Sequence, residues 1–174
     1  MIKIRVHGEP KGQPRPRAFA RRMGDGKFVA RVFESGTAEG WKSLIAAEAA
    51  KHRPAEPISG PVFVDAYFVF PRPKSHYRTG KRANELREDA PAWHTSKPDR
   101  DNLDKAILDV LTQLGGFWRD DCQVCAGFLQ KSYGPRPGVL IVIDAVLDAE
   151  YAQPSIDDAA EYSRPSIDSL EVTP

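Results

Sequence analysis

A chain of 174 residues with 41% apolar and 28% charged side chains is long enough for one well-packed core and too short for two full domains. Its formal net charge of +1 conceals an asymmetry: residues 1–97 hold 19 bases against 10 acids, whereas residues 148–174 hold seven acids and only Arg164 as a base. The longest apolar run, VLIVI at 139–143, is too short to span a bilayer, and the opening MIKIRVHGEP lacks a signal-peptide core. Two cysteines are too few for a disulfide framework, so the expected setting is a reducing cytoplasm with no membrane contact.

In chain order, IKIRVHG alternates over 2–8 and predicts a first strand. KGQPRPRAFARR then sets Lys11, Arg15, Arg17, Arg21 and Arg22 among glycine and prolines, which predicts an extended cationic loop. The turn GDG at 24–26 leads into KFVARVF, a second strand. Across AEGWKSLIAAEAAKH, Trp41, Leu44, Ile45 and Ala49 share one helical face, with Ser35 or Thr37 as candidate caps. VFVDAYFVF at 62–70 alternates aromatic and β-branched residues and predicts a strand. Residues 72–93 carry Arg72, Lys74, Arg78, Lys81, Arg82 and Arg87 without an apolar period, which predicts a flexible basic insertion. That insertion is either passive or a flap that grips DNA. Leu103, Ala106, Ile107, Val110, Leu111 and Leu114 follow the i, i+3, i+4, i+7 stripe of a helix that Gly115-Gly116 ends. CQVCAGFLQKSY and GVLIVIDAV predict two further strands joined across GPRPG. The element order predicts a small α+β domain over 1–148. The acidic stretch 149–174, with PSID twice and no packing period, predicts a disordered tail.

The chemistry concentrates in KPDRDNLDK at 97–105, with Asp99, Asp101 and Asp104 inside six positions, and in the pair Asp120-Asp121 just past the helix. Any one of these acids has an ordinary explanation: Asp101 as N-cap, Asp104 at the positive helix end, Lys105 paired with Asp101 or Asp109. Taken together, converging carboxylates repel and raise one another's pKa, a conflict that a hard divalent cation removes. An acidic metal site in a basic body suits a polyanionic ligand, since cations bridge carboxylates to phosphates. DRDNLD does not continue as an EF-hand, because Asp104 replaces the loop glycine and Val110 the final glutamate. Cys122 and Cys125 are expected as buried, unreactive thiols, and His94 as a plain loop histidine or a phosphate contact. No Ser-His-Asp order, P-loop or dinucleotide turn is present.

KPDRDNLDKAILDVLTQLGGFWRDDCQV resembles the signature of the RusA family of Holliday junction resolvases, an Asp-x-Asp-Asn-Leu-x-Lys helix start followed by Asp-Asp-x-Gln. GEPKGQPRPRAFARR is similar to the opening of the family's phage and prophage branch. The resemblance spans residues 1–147 and implies a mixed β-sheet packed against two main helices. It implies Asp99, Asp101 and Asp121 as catalytic, metal-binding acids, Lys105 as a catalytic lysine, and Asn102 and Asp120 as supporting residues. It also implies Mg2+, with Mn2+ as a substitute, no organic cofactor, and a homodimer that nicks a four-way DNA junction in recombination and repair. Lys11, Arg15, Arg17, Arg21, Arg22, Arg78, Lys81, Arg82 and Lys97 are the expected DNA contacts. Trp41 is the expected anchor of a dimer interface. A less selective branched-DNA nuclease and a non-catalytic DNA-binding accessory protein remain the alternatives.

Overall fold

The most regular alternation in the chain, VFVDAYFVF, becomes the strand on which the sheet is organised. A computed structural model describes residues 1–14, 17–22, 28–33 and 38–146. The strands are β1 (Ile2–His7), β2 (Arg17–Arg22), β3 (Phe28–Phe33), β4 (Val62–Phe70), β5 (Val124–Ala126), β6 (Leu129–Tyr133) and β7 (Gly138–Ala145). The helices are α1 (Glu39–Ala50) and α2 (Arg100–Leu114). β7 runs antiparallel between β1 and β4, and β5 and β6 pair in parallel with the other edge of β4. This mixed sheet and its two helices form the expected α+β architecture. β2 and β3 make a separate antiparallel pair, so residues 17–22 form a strand where an extended loop was expected.

Period-two alternation decides which face of the sheet is covered. Val62, Val64, Ala66, Phe68 and Phe70 of β4 are buried on one face, with Ile4 and Val6 of β1 and Val139, Ile141 and Ile143 of β7. α1 adds Trp41, Ile45 and Ala49 to this core, and α2 adds Leu103, Ala106, Ile107, Val110 and Leu111. Each fully buried valine, leucine, isoleucine or phenylalanine among them stabilises the fold by about 1.5–3 kcal/mol. Three expectations for α1 fail. Leu44 is 47% exposed, because only part of the stripe reaches the sheet. The N-cap is Ala38, without a side-chain cap bond, and Ser35 and Thr37 lie outside the described residues. Trp41 is only 4% exposed, so it is a core residue and not a surface anchor.

α2 ends where expected. Gly115 and Gly116 take positive φ, and Arg53 caps the helix from α1's side, donating to the carbonyls of Leu114 (3.0 Å) and Gly115 (2.9 Å). Past this stop, residues 122–133 do not make one continuous strand. At Gly127 the edge strand passes so close to the Val64 carbonyl that no Cβ fits. There the Asp65 carboxylate accepts from the Phe128 N–H at 2.7 Å, taking the place of a ladder carbonyl. The break divides β5 from β6 and bends the edge past α2.

The insertion at 72–93 carries its own backbone pairing. Arg78 N–H donates to the Glu85 carbonyl and Arg87 N–H to that of His76, with Tyr77 bridged to Leu86. Ion pairs Arg78–Glu88 (2.8 Å), Arg82–Glu85 (3.1 Å) and Arg87–Asp89 (2.7 Å) tie it across. Its end lies along the outer edge of β6, where Tyr133 N–H meets the Ala92 carbonyl and His94 N–H meets that of Lys131. His94 stacks on Phe70 at 3.8 Å and leans on Tyr133. The 149–174 tail lies outside the described residues.

Candidate active site

The acidic motif forms the first turn of α2, in a different register from the one expected. The first helical bond runs from Leu103 N–H to the Asp99 carbonyl, so Asp99 is the N-cap and Asp101 lies inside the first turn. Asp99 makes no side-chain cap bond. Both carboxylates sit on exposed residues at the positive end of the helix, where negative charge is favoured.

Two distant segments meet this turn. The Lys11-Gly12-Gln13 loop lies against it: a Cβ at Gly12 would stand 2.8 Å from Pro98 Cβ, and Gln13 N–H donates to the Asn102 carbonyl at 2.8 Å. From β6, Lys131 Nζ donates to the carbonyls of Ser96 (2.7 Å) and Pro98 (2.6 Å). Burial pushes the Lys131 ammonium down, and the Asp99 charge pulls it back up. Asp104 follows Asp101 by three residues on α2. It is half-buried in a cavity of about 300 Å³ with Arg100, Leu108, Cys125 and Gly127. Burial raises its carboxyl, opposed by Arg100.

The second acidic pair divides its labour. Asp120 caps a short turn (Asp121–Gln123), accepting from Cys122 N–H at 2.9 Å, while Gln123 Oε1 accepts from the N–H groups of Arg119 (2.7 Å) and Asp120 (3.3 Å). Gln123 Nε2 then donates to the carbonyls of Gly60 (2.8 Å) and Ile58 (3.1 Å), fixing the turn to the loop before β4. The Cys122 N–H holds the Asp120 carboxyl below its ordinary range. This box leaves Asp121 exposed as the first residue of a turn that packs against α2. Cys122 and Cys125 are exposed, contrary to expectation: Cys122 lies in the surface turn and Cys125 on the edge strand β5; the hydrogen bond to Asp120 pushes the Cys122 thiol up.

Among the described residues no three His, Cys, Asp or Glu side chains converge as a formed metal site. Lys105 is exposed and pairs with Asp109 at 3.1 Å, the i, i+4 alternative rather than Asp101. Of the expected DNA contacts, Lys81 and Lys97 are exposed, Lys11 is exposed and pairs with Glu9, and Arg78 and Arg82 are engaged by glutamates. Arg17, Arg21 and Arg22 belong to β2, and Arg15 lies outside the described residues.

The sequence matches the family described as endodeoxyribonuclease RusA over residues 7–144. The chain belongs to the RusA family. It is also 36% identical over 145 residues to the uncharacterized protein YqaN of Bacillus subtilis (strain 168), an alignment covering 83% of this chain and 96% of that one. The RusA match runs from the end of β1 nearly to the end of β7, so it takes in the Gly12 loop and both acid-bearing turns. No helix among the described residues is long and apolar enough to cross a membrane. In this RusA-family chain, Lys131 and Gln13 touch the acidic turn, and neither stands out in the sequence. The signal that places Lys131 there is the parallel pairing of β6 with β4, which no local pattern encodes.

Proposed function

We propose that this protein is a magnesium-dependent, structure-selective endodeoxyribonuclease that resolves four-way junctions by paired nicks in recombination and repair. The observation that carries the reading is the assembly around α2. The Lys11-Gly12-Gln13 loop lies on the turn bearing Asp99 and Asp101, and the capped turn bearing Asp121 packs against the same helix. Asp99, Asp101 and Asp121 do not converge as a preformed site, but their oxygen-only side chains, on exposed residues, suit a hard cation that gathers them with a phosphate. Magnesium commonly uses one or two carboxylates and completes its shell with water and phosphate. These three residues would hold it, and it would supply water activation and charge neutralisation at the scissile phosphate.

The chain's own groups do the rest. Lys105 exchanges a weak surface pair with Asp109 for a non-bridging phosphate oxygen, stabilising charge that develops in the transition state. Asp120 and Gln123 keep the Asp121 turn rigid, and Asn102 gives its carbonyl to the Gln13 loop. Lys11, Lys81 and Lys97 attract the flanking phosphates. One acid set per chain cuts one strand, so paired incision calls for a homodimer with twofold symmetry. The test offers a synthetic four-way junction and its matched linear duplex, with and without magnesium. Symmetric nicks in opposed strands of the junction alone support the reading. Equal cutting of the duplex would show a less selective nuclease, and binding without cutting an accessory protein.

A further inference from the structure

Asp99 owes its placement to a residue outside the acidic motif. In the parallel register of β4 and β6, Lys131 pairs with Phe68, which is fully buried, so both side chains lie on the helix-bearing face of the sheet. From that position the Lys131 backbone carbonyl accepts from His94 N–H, while its ammonium donates to the carbonyls of Ser96 and Pro98. One residue thus fastens the segment 94–98 at three points. The Pro98 carbonyl belongs to the peptide unit that ends at the Asp99 nitrogen, so the 2.6 Å bond fixes the plane from which Asp99 departs. On the other side, the Asp99 carbonyl accepts from Leu103 N–H. With both flanking peptides held, the root of the carboxylate is fixed, and its head makes no cap bond to the helix.

We propose that Lys131 is a positioning residue for the nuclease reaction: by holding the Ser96 and Pro98 carbonyls it sets the Asp99 carboxylate where the cation and scissile phosphate meet. The assignment rests on the nuclease reading given above. An ammonium has three N–H donors, and two are committed to backbone carbonyls at short range. Lys131 is therefore poorly placed to be one more phosphate contact.

The test uses the full chain with Lys131→Met, which keeps the stem and loses the charge, and Lys131→Arg, which keeps charged donors. Hydrogen–deuterium exchange is read first, without DNA or metal. The Met variant should speed exchange across 96–103 by about tenfold or more, the scale of one lost charge-assisted hydrogen bond, while α1 and β7 stay protected. The Arg variant should restore much of that protection. If the Met variant loses protection throughout, Lys131→Gln takes its place. Unchanged exchange at 96–103 would overturn the proposal. Junction cleavage is read second, in single turnover. The rate for the Met variant should fall about tenfold or more, while metal-free junction affinity changes less than about threefold. Equal losses in rate and affinity would make Lys131 a phosphate contact and overturn the proposal. A wild-type protein that cuts no DNA, with the local exchange effect intact, would sink the nuclease reading and with it any catalytic consequence of Lys131, leaving only its hold on the turn.

Discussion

Both acid-bearing turns present a carboxylate beside α2, yet they are held in opposite ways. The Asp121 turn is locked largely from within: Asp120 and Gln123 close a reciprocal box three residues apart, and the Gln123 amide reaches further, to Ile58 and Gly60. The Asp99 turn has no local cap. It is held by Lys131 from β6 and by Gly12 and Gln13 from the N-terminal loop, all remote in sequence. A locally closed turn persists through modest changes elsewhere in the fold, whereas a remotely held one depends on the sheet edge being intact. The two acids should therefore be equally necessary for cleavage but unequally vulnerable.

The largest expected effect tests the equality. Asp99→Asn, Asp101→Asn and Asp121→Asn should each lower single-turnover cleavage by about 10²-fold or more, the loss expected for a catalytic group. Junction binding should persist or tighten, because each change removes negative charge near phosphate. An Asp121→Asn variant retaining more than a tenth of the rate would reduce that turn to a structural role.

Unequal vulnerability is tested by stability. Gln123→Ala strips acceptors from Arg119 and Asp120 and a donor from Ile58 and Gly60, and should cost about 1–3 kcal/mol in denaturant unfolding. Gly12→Ala drives a methyl into Pro98 and Asn102 and should cost a similar amount, about 1–3 kcal/mol of overpacking. Hydrogen exchange separates them: the first should loosen 119–123, the second 97–103. Loosening of both turns by either variant would erase the distinction between them.

The turns also differ in their response to acid. Burial, with Lys131 nearby, holds His94 below its ordinary value of 6.5, and its enclosed Nδ1 has no partner for a proton. Because the unfolded chain then protonates first, the stability His94 contributes is complete above about 6.5. It is lost as pH falls from there toward the lower folded value. Asp120 is also depressed, from 3.8, so its contribution is present above that value and lost only as pH falls below it. Mild acid should thus loosen 92–99 while sparing 119–123, as seen by exchange at pH 7 and pH 5. His94→Phe, which keeps the stack on Phe70, should flatten the first response.

How much of this is legible in the sequence follows the same division. The α2 stripe, the β4 alternation, and the Asp-Asp-x-Gln and Gly-Gly signals are local, and the structure realises each in place. Asp101 was expected as the cap because the apolar stripe starts at Leu103, but the first helical bond reaches back to Asp99. Leu44 and Trp41 share a helical face in a wheel diagram, yet contact with the sheet buries only Trp41. Arg78 and Arg82 look like free DNA contacts until the turn at 77–86 brings Glu85 and Glu88 to them. Lys131 is invisible without the parallel edge that delivers it.

Two smaller effects sharpen the picture. Lys105→Ala should lower cleavage more than binding and leave stability nearly unchanged, because its pair with Asp109 is exposed and worth only about 0.3–0.5 kcal/mol. Smallest of all, Lys97→Ala should reduce the slope of log affinity against log salt by about 0.9, as for one phosphate contact. Arg82→Ala should change it less, since Glu85 already engages that side chain.

The central claim, that the two turns of one chain complete one another, is tested most directly by mixing. Asp99→Asn and Asp121→Asn chains are co-refolded in equal amounts and offered a four-way junction with magnesium beside the wild-type protein. No chain in the mixture carries both intact turns, so the account predicts paired nicks from the wild type and cleavage by the mixture at least about 10²-fold lower. Recovery of a quarter of the wild-type rate by the mixture would contradict it, because the site would then be shared between chains.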